Sequence, residues 1–170
     1  MRLSKLSKRL AAFAYLIYHL ALGLDSAIWE AVAMGVRVKW GNKDRTCLIF
    51  EMDRNWDWDE FYAVYKKYYA MVEAVPHRVH VIYHMIEPRL RFPPLVLLHM
   101  PKLLRMSHPR QDRSVVVGRI QFAERFLAIL GNMGLREYTE RYHFADSLDE
   151  AFQYLDQYEA DLRNKSAKIE

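Results

Sequence analysis

Seven histidines and a short acidic cluster are the residues of this chain whose types could do chemistry. His80 and His84 would form a metal-binding pair on a helix, where residues four apart share a face. The run from Val79 to Met85 alternates like a strand, however, and a strand separates the same two residues by about 13 Å. They therefore cannot share one zinc ion. His77, His99, His108 and His143 show no Cys/His spacing typical of a metal site, so no metal or other cofactor is expected.

The acidic cluster from Asp53 to Glu60 has the composition of a magnesium site or an acid/base pair. Asp57 and Glu60 also have the spacing of a capping box in front of a helical pattern, and that role explains both carboxylates. The sequence contains no phosphate-binding loop, nucleophile elbow or dinucleotide fingerprint. We therefore expect no catalytic residues and a protein that is not an enzyme.

Positive charge is concentrated between positions 88 and 125, where eight Lys and Arg residues stand against two acidic ones. The candidate contacts for an anionic partner are Arg89, Arg91, Lys102 and Arg105, the first two flanking an apolar segment that starts at Phe92. The alternative is a solvated face that keeps the protein in solution. Nucleic acid is not expected as the partner because no recognised binding motif accompanies the charge.

Two further groups are expected to serve the core. Tyr62, Tyr65, Tyr68 and Tyr69 recur at helical spacing and predict one face of a helix that packs with long side chains. Cys47 is the single cysteine, which excludes an internal disulfide, and its apolar neighbours predict a buried, unreactive thiol.

The elements that position these residues follow from the alternation of two hydrophobic periods. The composition, 52% hydrophobic and 27% charged over 170 residues, is that of one globular domain. A hairpin is followed by alternating helices and strands, which predicts a single α/β domain (ββαβαβαβα) with a mostly parallel or mixed sheet of about five strands. The predicted strands are Val36–Trp40, Thr46–Met52, Val79–Met85, Ser114–Ile120 and Tyr142–Ala145, and the helices run from Asp57 to Pro76, Leu95 to Met106, Phe122 to Met133 and Ser147 to Leu162.

Three local features refine these elements. Pro101 is expected to kink or split the second helix. Ser147 and Glu150 have the spacing of a capping box for the last helix, and the polar tail after Arg163 is expected to fray.

Residues 1–33 differ from the rest of the chain. Four basic residues precede an apolar run from Leu10 to Leu24. As a helix, this run would span about 22 Å, less than the roughly 30 Å hydrocarbon core of a bilayer. Three interpretations stay open: an accessory helix that packs on the domain or lies on a membrane surface, a true start at Met34, and a signal segment that is removed. The expected units are residues 1–33, a domain over 34–163 and a tail over 164–170.

Three segments carry a resemblance to a known family: Trp56–Tyr62, Val115–Gly118 and Phe144–Ala151. With the predicted order of elements, they make the chain similar to STAS-like domains, in particular to small uncharacterised bacterial members related in fold to anti-sigma-factor antagonists. The resemblance spans about three quarters of the chain. Phosphoregulated members carry Ser or Thr at the helix after the third strand. Here no Ser or Thr occurs between Thr46 and Ser107, so that switch is not expected.

The sequence thus predicts a non-enzymatic regulatory or protein-interaction module of STAS-like type, located in the cytoplasm, with an unknown protein as its partner. The alternative is a protein that binds lipid or a membrane surface, associating peripherally through the basic and apolar residues 1–24. Homo-oligomerisation stays open in both cases.

Overall fold

The element order is that of a hairpin followed by alternating helices and strands. The structure, a computed structural model, describes residues 35–53, 56–86, 93–118 and 123–168, so the predicted extension over residues 1–33 lies outside it. The described elements are β1 (Val36–Trp40), β2 (Cys47–Met52), α1 (Trp58–Glu73), β3 (Val79–Met85), α2 (Val96–Arg105), β4 (Gln111–Val117), α3 (Ala123–Leu130), α4 (Arg136–Thr139), β5 (Tyr142–Ala145) and α5 (Leu148–Ser166).

The five strands form one mixed sheet, as predicted, and lie in chain order from β1 to β5. β1 and β2 are antiparallel, and every later neighbour is parallel. The hairpin turn is closed by Asn42, whose side-chain oxygen accepts the Thr46 N–H at 3.0 Å. Its side-chain nitrogen donates to the Thr46 hydroxyl at 2.6 Å.

The connecting helices cover one face of the sheet. A sheet that grows in one direction through right-handed crossovers places all of its crossover helices on the same face. α1 packs there through Phe61 and Tyr68, whose rings lie 5.7 and 5.5 Å from the ring of Phe50 on β2. Leu104 of α2 and Leu130 of α3 complete this side in a cluster that also contacts Tyr142 of β5.

The opposite face carries α5. Its Ala151 and Leu155 pack against Ile82 and Val115, the inward residues of β3 and β4 on that face. β4 is therefore enclosed between two helical layers. Val115, Val116 and Val117 are all buried, which confirms the prediction for this valine run.

α1 begins at the predicted capping box. The Asp57 carboxylate accepts the Glu60 N–H at 2.9 Å, and the Glu60 carboxylate accepts the Asp57 N–H at 3.2 Å. Two carboxylates of the acidic cluster are therefore engaged in capping the start of a helix, as the sequence indicated.

The fourth strand lies three residues earlier than predicted, at Gln111–Val117 rather than Ser114–Ile120. Gly118 ends it with φ +122°, and a Cβ there would lie 3.0 Å from the Cβ of Met85. At its start, Gln111 pairs with Val79 across an irregularity in the register. The polar residues that begin the strand resemble loop residues in the sequence, which is why the prediction missed them.

The ends of the last helices agree with the prediction in part. The regular α3 ends at Leu130, and a π-helical segment over Gly131–Leu135 continues it; the backbone leaves the helical region at Met133 and Gly134, where φ of Gly134 is +83°, as predicted for a helix that stops at this glycine. The short α4 follows, which was not predicted. α5 continues to Ser166 instead of fraying after Arg163, with Arg163 and Lys165 placed favourably at its carboxyl end.

Two smaller expectations change as well. The Ser147 hydroxyl accepts the Glu150 N–H, but the Glu150 carboxylate accepts the N–H of Asp146 rather than that of Ser147, so the capping box is not reciprocal. Pro101 neither splits nor ends α2, which runs through it from Val96 to Arg105. Proline at this place removes one hydrogen bond, to the carbonyl of the exposed Leu97.

Candidate functional site

Two of the four predicted anion contacts lie on α2. Lys102 and Arg105 form its last turn, and its first turn has no acidic residue. Residues three apart on a helix are neighbours, so the two cations share one side. The Lys102 ammonium lies 5.0 Å from the ring centroid of Tyr62, and Arg105 is exposed. Arg89 and Arg91 lie outside the described residues.

Exposed leucines lie at the start of the same helix. Leu95, Leu97 and Leu98 expose 67%, 55% and 69% of their surface. No other stretch of four residues in the described part of the chain exposes three large hydrophobic side chains. Clustered apolar exposure of this kind marks contact sites. We call Leu95, Leu97 and Leu98, together with Lys102 and Arg105, the leucine surface.

The sequence contains a signal for this surface in the number of leucines that α2 carries. The run from Leu95 to Met106 is apolar except for His99, Lys102 and Arg105, which share one side of the helix, and Leu95 and Leu98 lie four residues before His99 and Lys102 on that same side. A helix that packs on one sheet can bury only one side, and α2 buries Leu103 and Leu104. The remaining leucines must face outward.

An aromatic clamp fixes the start of α2 on α1. Trp58 donates its indole N–H to the Pro94 carbonyl at 2.7 Å. The His99 ring stacks on Trp58 with centroids 4.4 Å apart and planes 10° apart. The His99 Nδ1 atom lies 2.9 Å from the Tyr62 hydroxyl. His99 thus joins two helices, and the leucine surface rests on a rigid base.

Leu95 adopts a left-handed backbone with φ +67° and ψ +27°. For a residue with a Cβ, this conformation costs roughly 1–2 kcal/mol. Its carbonyl accepts the N–H groups of Leu98 and His99, and these are the first hydrogen bonds of the helix. No side chain caps the start of α2. The fold therefore holds an exposed leucine in an unfavourable backbone conformation, a feature that concentrates at functional segments.

The four predicted packing tyrosines divide into two groups. Tyr65 and Tyr68 are buried in the core as predicted, whereas Tyr62 contacts α2 and Tyr69 is exposed at the surface. The Tyr69 ring lies edge-on to His108, with centroids 4.6 Å apart. Cys47 is 2% exposed, which confirms that the cysteine is buried, and burial raises the pKa of its thiol to about 12, which supports the predicted lack of reactivity.

A closed hydrogen-bond network joins α1 to β4. The buried Tyr68 hydroxyl donates to the Gln111 side-chain oxygen at 2.5 Å, and the Gln111 side-chain nitrogen donates to the Ser114 hydroxyl at 2.8 Å. The Tyr68 hydroxyl also accepts the N–H of His108 at 3.4 Å. Each polar group has a partner within the fold, so the network stabilises the domain and offers no group to a substrate.

Glu73 closes the surface end of this network. Its carboxylate lies 2.8 Å from the His108 Nε2 atom and 2.7 Å from a guanidinium nitrogen of Arg110. The hydrogen bond from His108 holds the pKa of Glu73 below its usual value, and the Arg110 charge acts in the same direction.

His80, Asp112 and Glu159 bring three potential metal-ligand atoms within 4.8 Å of one another, the one such group in the described residues. The Arg113 N–H donates to His80 Nδ1 at 3.3 Å, so Nδ1 is an acceptor and the ring proton lies on Nε2. That proton faces the Glu159 carboxylate at 3.0 Å. A metal would need a lone pair on Nε2, but the ring proton occupies this atom, which donates to Glu159 instead.

The carboxylate of Asp112 is also engaged. Arg78 donates to it at 2.8 Å, and the Tyr158 hydroxyl donates at 3.2 Å. The group therefore acts as a network of hydrogen bonds and one ion pair, Arg78 with Asp112, that fastens α5 to β3 and β4. His84 lies on the same face of the sheet as His80, two positions beyond Ile82 on β3, and pairs with Glu51 on β2. Burial lowers the pKa of His84. The sequence argument that His80 and His84 cannot share a metal agrees with this strand geometry.

A polar groove of about 480 Å³ lies beside the amino ends of β3 and β4. Arg78, Asp112 and Arg113 line it, and Arg78 pairs with Asp112 while Arg113 donates to the Glu140 carbonyl at 2.9 Å. Ligands of open α/β sheets bind outside the opposite, carboxyl ends of the strands. The groove therefore lies at the end of the sheet opposite to the one where ligands of this architecture bind.

Comparison with known proteins adds no further information. No protein-family model, curated protein or solved structure matches this chain. Within the described residues, none of the helices combines the length and apolar character needed to cross a bilayer. The α/β class thus follows from the structure itself, and the leucine surface is the densest group of exposed apolar side chains in the described part of the chain.

Proposed function

We propose that this chain is a non-enzymatic regulatory or interaction module that docks a partner on the leucine surface. The observation that carries the proposal is the exposure of Leu95, Leu97 and Leu98 at between 55% and 69%. Full burial of such a side chain contributes about 1.5–3 kcal/mol, and these leucines, which are more than half exposed, forgo more than half of that free energy. A partner that covers them recovers it on binding.

The polar clusters support the non-catalytic part of the proposal. The networks around Tyr68, around Glu73 and around His80 are each closed by partners within the fold. Catalytic groups face a cavity, have a shifted pKa and keep a hydrogen-bonding position free for the substrate. Polar groups that are engaged in this way support a role at the surface instead of catalysis.

The STAS-like assignment is part of this proposal. It is supported by the antiparallel β1–β2 hairpin, the parallel strands that follow and the single helix after each of them, apart from the short α4. The sequence lacks a Ser or Thr at the position of the family's phosphoacceptor. Regulation would therefore depend on the partner's access to the leucine surface instead of on phosphorylation of that helix.

Site-specific photo-crosslinking tests the proposal. A photoreactive amino acid at Leu98 samples the leucine surface, and the same group at Gln153, exposed on α5, is the control. In the cells that make the protein, position 98 should give discrete protein or lipid adducts that position 153 does not. Equal adduct patterns at both positions, or no adduct at 98, would refute the proposed docking surface.

A further inference from the structure

We propose that the partner of the leucine surface is an anionic lipid surface. This inference rests on the proposed function, because it names the occupant of the same site. A bilayer interface accepts leucines at the depth where headgroups meet acyl chains, and it holds basic residues at the level of its anionic headgroups.

The shape of the leucine surface favours a membrane over a protein groove or peptide. Leu95 and Leu98 are about two-thirds exposed, so their side chains project outward instead of lining a depression. The groove beside β3 and β4 is lined by other residues, among them Arg78 and Asp112. Peptides dock in grooves that enclose their apolar side chains, whereas a projecting leucine group inserts into a soft surface.

The sequence segment that carries these leucines has charge of one sign. The sequence from Pro88 to Gln111 contains no Asp or Glu and five Lys or Arg residues: Arg89, Arg91, Lys102, Arg105 and Arg110. In the structure, Lys102 and Arg105 lie on the same helix as Leu97 and Leu98. Each basic side chain close to an anionic leaflet adds attraction, which falls off within a Debye length.

The leucine surface is also formed before any partner arrives. The Trp58–Pro94 hydrogen bond and the Trp58–His99 stack hold α2 in place on α1. Many interfacial helices must fold as they bind, which costs conformational entropy. Here the helix exists in the free protein, so insertion orders little beyond the exposed side chains themselves.

Vesicle co-sedimentation of the full-length chain tests this inference. The vesicles are phosphatidylcholine alone and phosphatidylcholine with about one-third phosphatidylserine, an amount that gives a negative surface potential. The test variant is Leu97→Gln with Leu98→Gln. The matched control is Ile129→Gln with Met133→Gln, which removes two apolar side chains that are 51% and 57% exposed on another part of the chain. Thermal melts establish that both variants are folded.

We expect the unmodified protein to bind the anionic vesicles and to be released as salt rises. The Leu97/Leu98 variant should lose at least about tenfold in affinity, and the Ile129/Met133 control should not. Lys102→Gln with Arg105→Gln should weaken binding at low salt more than at high salt. Equal binding by the Leu97/Leu98 variant and the unmodified protein would overturn the lipid inference.

The two proposals fail in distinguishable ways. Absence of vesicle binding, together with protein adducts from the photoreactive group at position 98, would overturn the lipid surface and keep the docking surface. Absence of both vesicle binding and specific adducts would overturn both. Binding to neutral and anionic vesicles alike would overturn the role assigned to Lys102 and Arg105.

Discussion

Replacing Tyr68 by phenylalanine removes one oxygen atom from the best-connected polar position in the core. The side chain is fully buried, and its hydroxyl donates to Gln111 on β4 and accepts the N–H of His108 in the loop before that strand. The ring of a phenylalanine would keep its contacts with Phe50 and Tyr65. The change therefore isolates the hydrogen bonds from the packing.

The expected destabilisation is about 2 kcal/mol. An ordinary hydrogen bond contributes about 1 kcal/mol net, and a buried acceptor left without its donor adds roughly 1–3 kcal/mol. Gln111 keeps its second bond, to Ser114, which limits the loss. The 3.4 Å contact from His108 is long and adds little. For a domain of this size, such a change lowers the melting temperature by roughly 5–10 °C.

Tyr65→Phe is the matched control for this experiment. Tyr65 lies on the same helix, is also buried, and forms no hydrogen bond through its hydroxyl among the described residues. Its substitution should change the free energy of unfolding by less than about 0.5 kcal/mol. Equal losses from the two substitutions in urea denaturation would refute the view that the Tyr68–Gln111–Ser114 network fastens α1 to β4.

Three other expectations follow from the same structure. Asp57→Ala should lower the free energy of unfolding by about 1 kcal/mol, because it removes the cap of α1. Val116→Asp should lower it by several kcal/mol and unfold the domain, because it buries an unpaired charge in β4, and denaturant melts compare the two variants. The Cys47 thiol, with its pKa raised to about 12 by burial, should react with a thiol reagent at neutral pH only after unfolding, as a colorimetric assay would show. Because the pKa of Glu73 is lowered from 4.5 in the folded state, its contribution to stability is present above 4.5 and is lost as the pH falls through the lower value. The stability difference between the unmodified protein and Glu73→Gln should therefore shrink in denaturant melts below pH 4.5.

Each of these expectations has a contrary result. Similar small effects of Asp57→Ala and Val116→Asp would contradict the placement of β4 in the middle of the sheet. Rapid labelling of native Cys47 would mean that the β2 core opens readily. A stability difference for Glu73→Gln that does not vary with pH would show that the carboxylate charge is not what His108 and Arg110 stabilise.

The elements that could be predicted from the sequence are those whose signals are local. β3 and β5 have the predicted bounds. The apolar pattern of each strand and the turn residues beside it lie within a few positions of one another, and they are enough to specify the strand. The cap of α1 is equally local, since Asp57 and Glu60 lie three residues apart. The sheet follows from these elements and their order.

The start of β4 and the polar networks could not be predicted in this way. Gln111 is polar and enters a strand because the hydroxyl of Tyr68, 43 positions earlier in the chain, donates a hydrogen bond to its side-chain oxygen. His80 meets Glu159 across 79 positions. Pairings at such distances depend on the folded topology, and one sequence carries no local pattern for them.

The candidate site was predicted in part. The sequence pointed to Lys102 and Arg105 through the bias of charge. It did not point to Leu95, Leu97 and Leu98, because leucines occur on both sides of this helix and the packing on the sheet decides which of them are buried. Burial of Leu103 and Leu104 makes that selection in the structure.

The most direct test of the leucine surface is the environment of a fluorescent label at position 98. Cys47 is buried, so a polarity-sensitive dye on Leu98→Cys labels the introduced thiol, and Gln153→Cys provides the control on α5. On addition of anionic vesicles, the label at 98 should shift to the blue and brighten, as a dye does on leaving water, while the label at 153 should not change. A label at 98 that stays in water while the protein binds the vesicles would contradict the assignment of α2 as the contact.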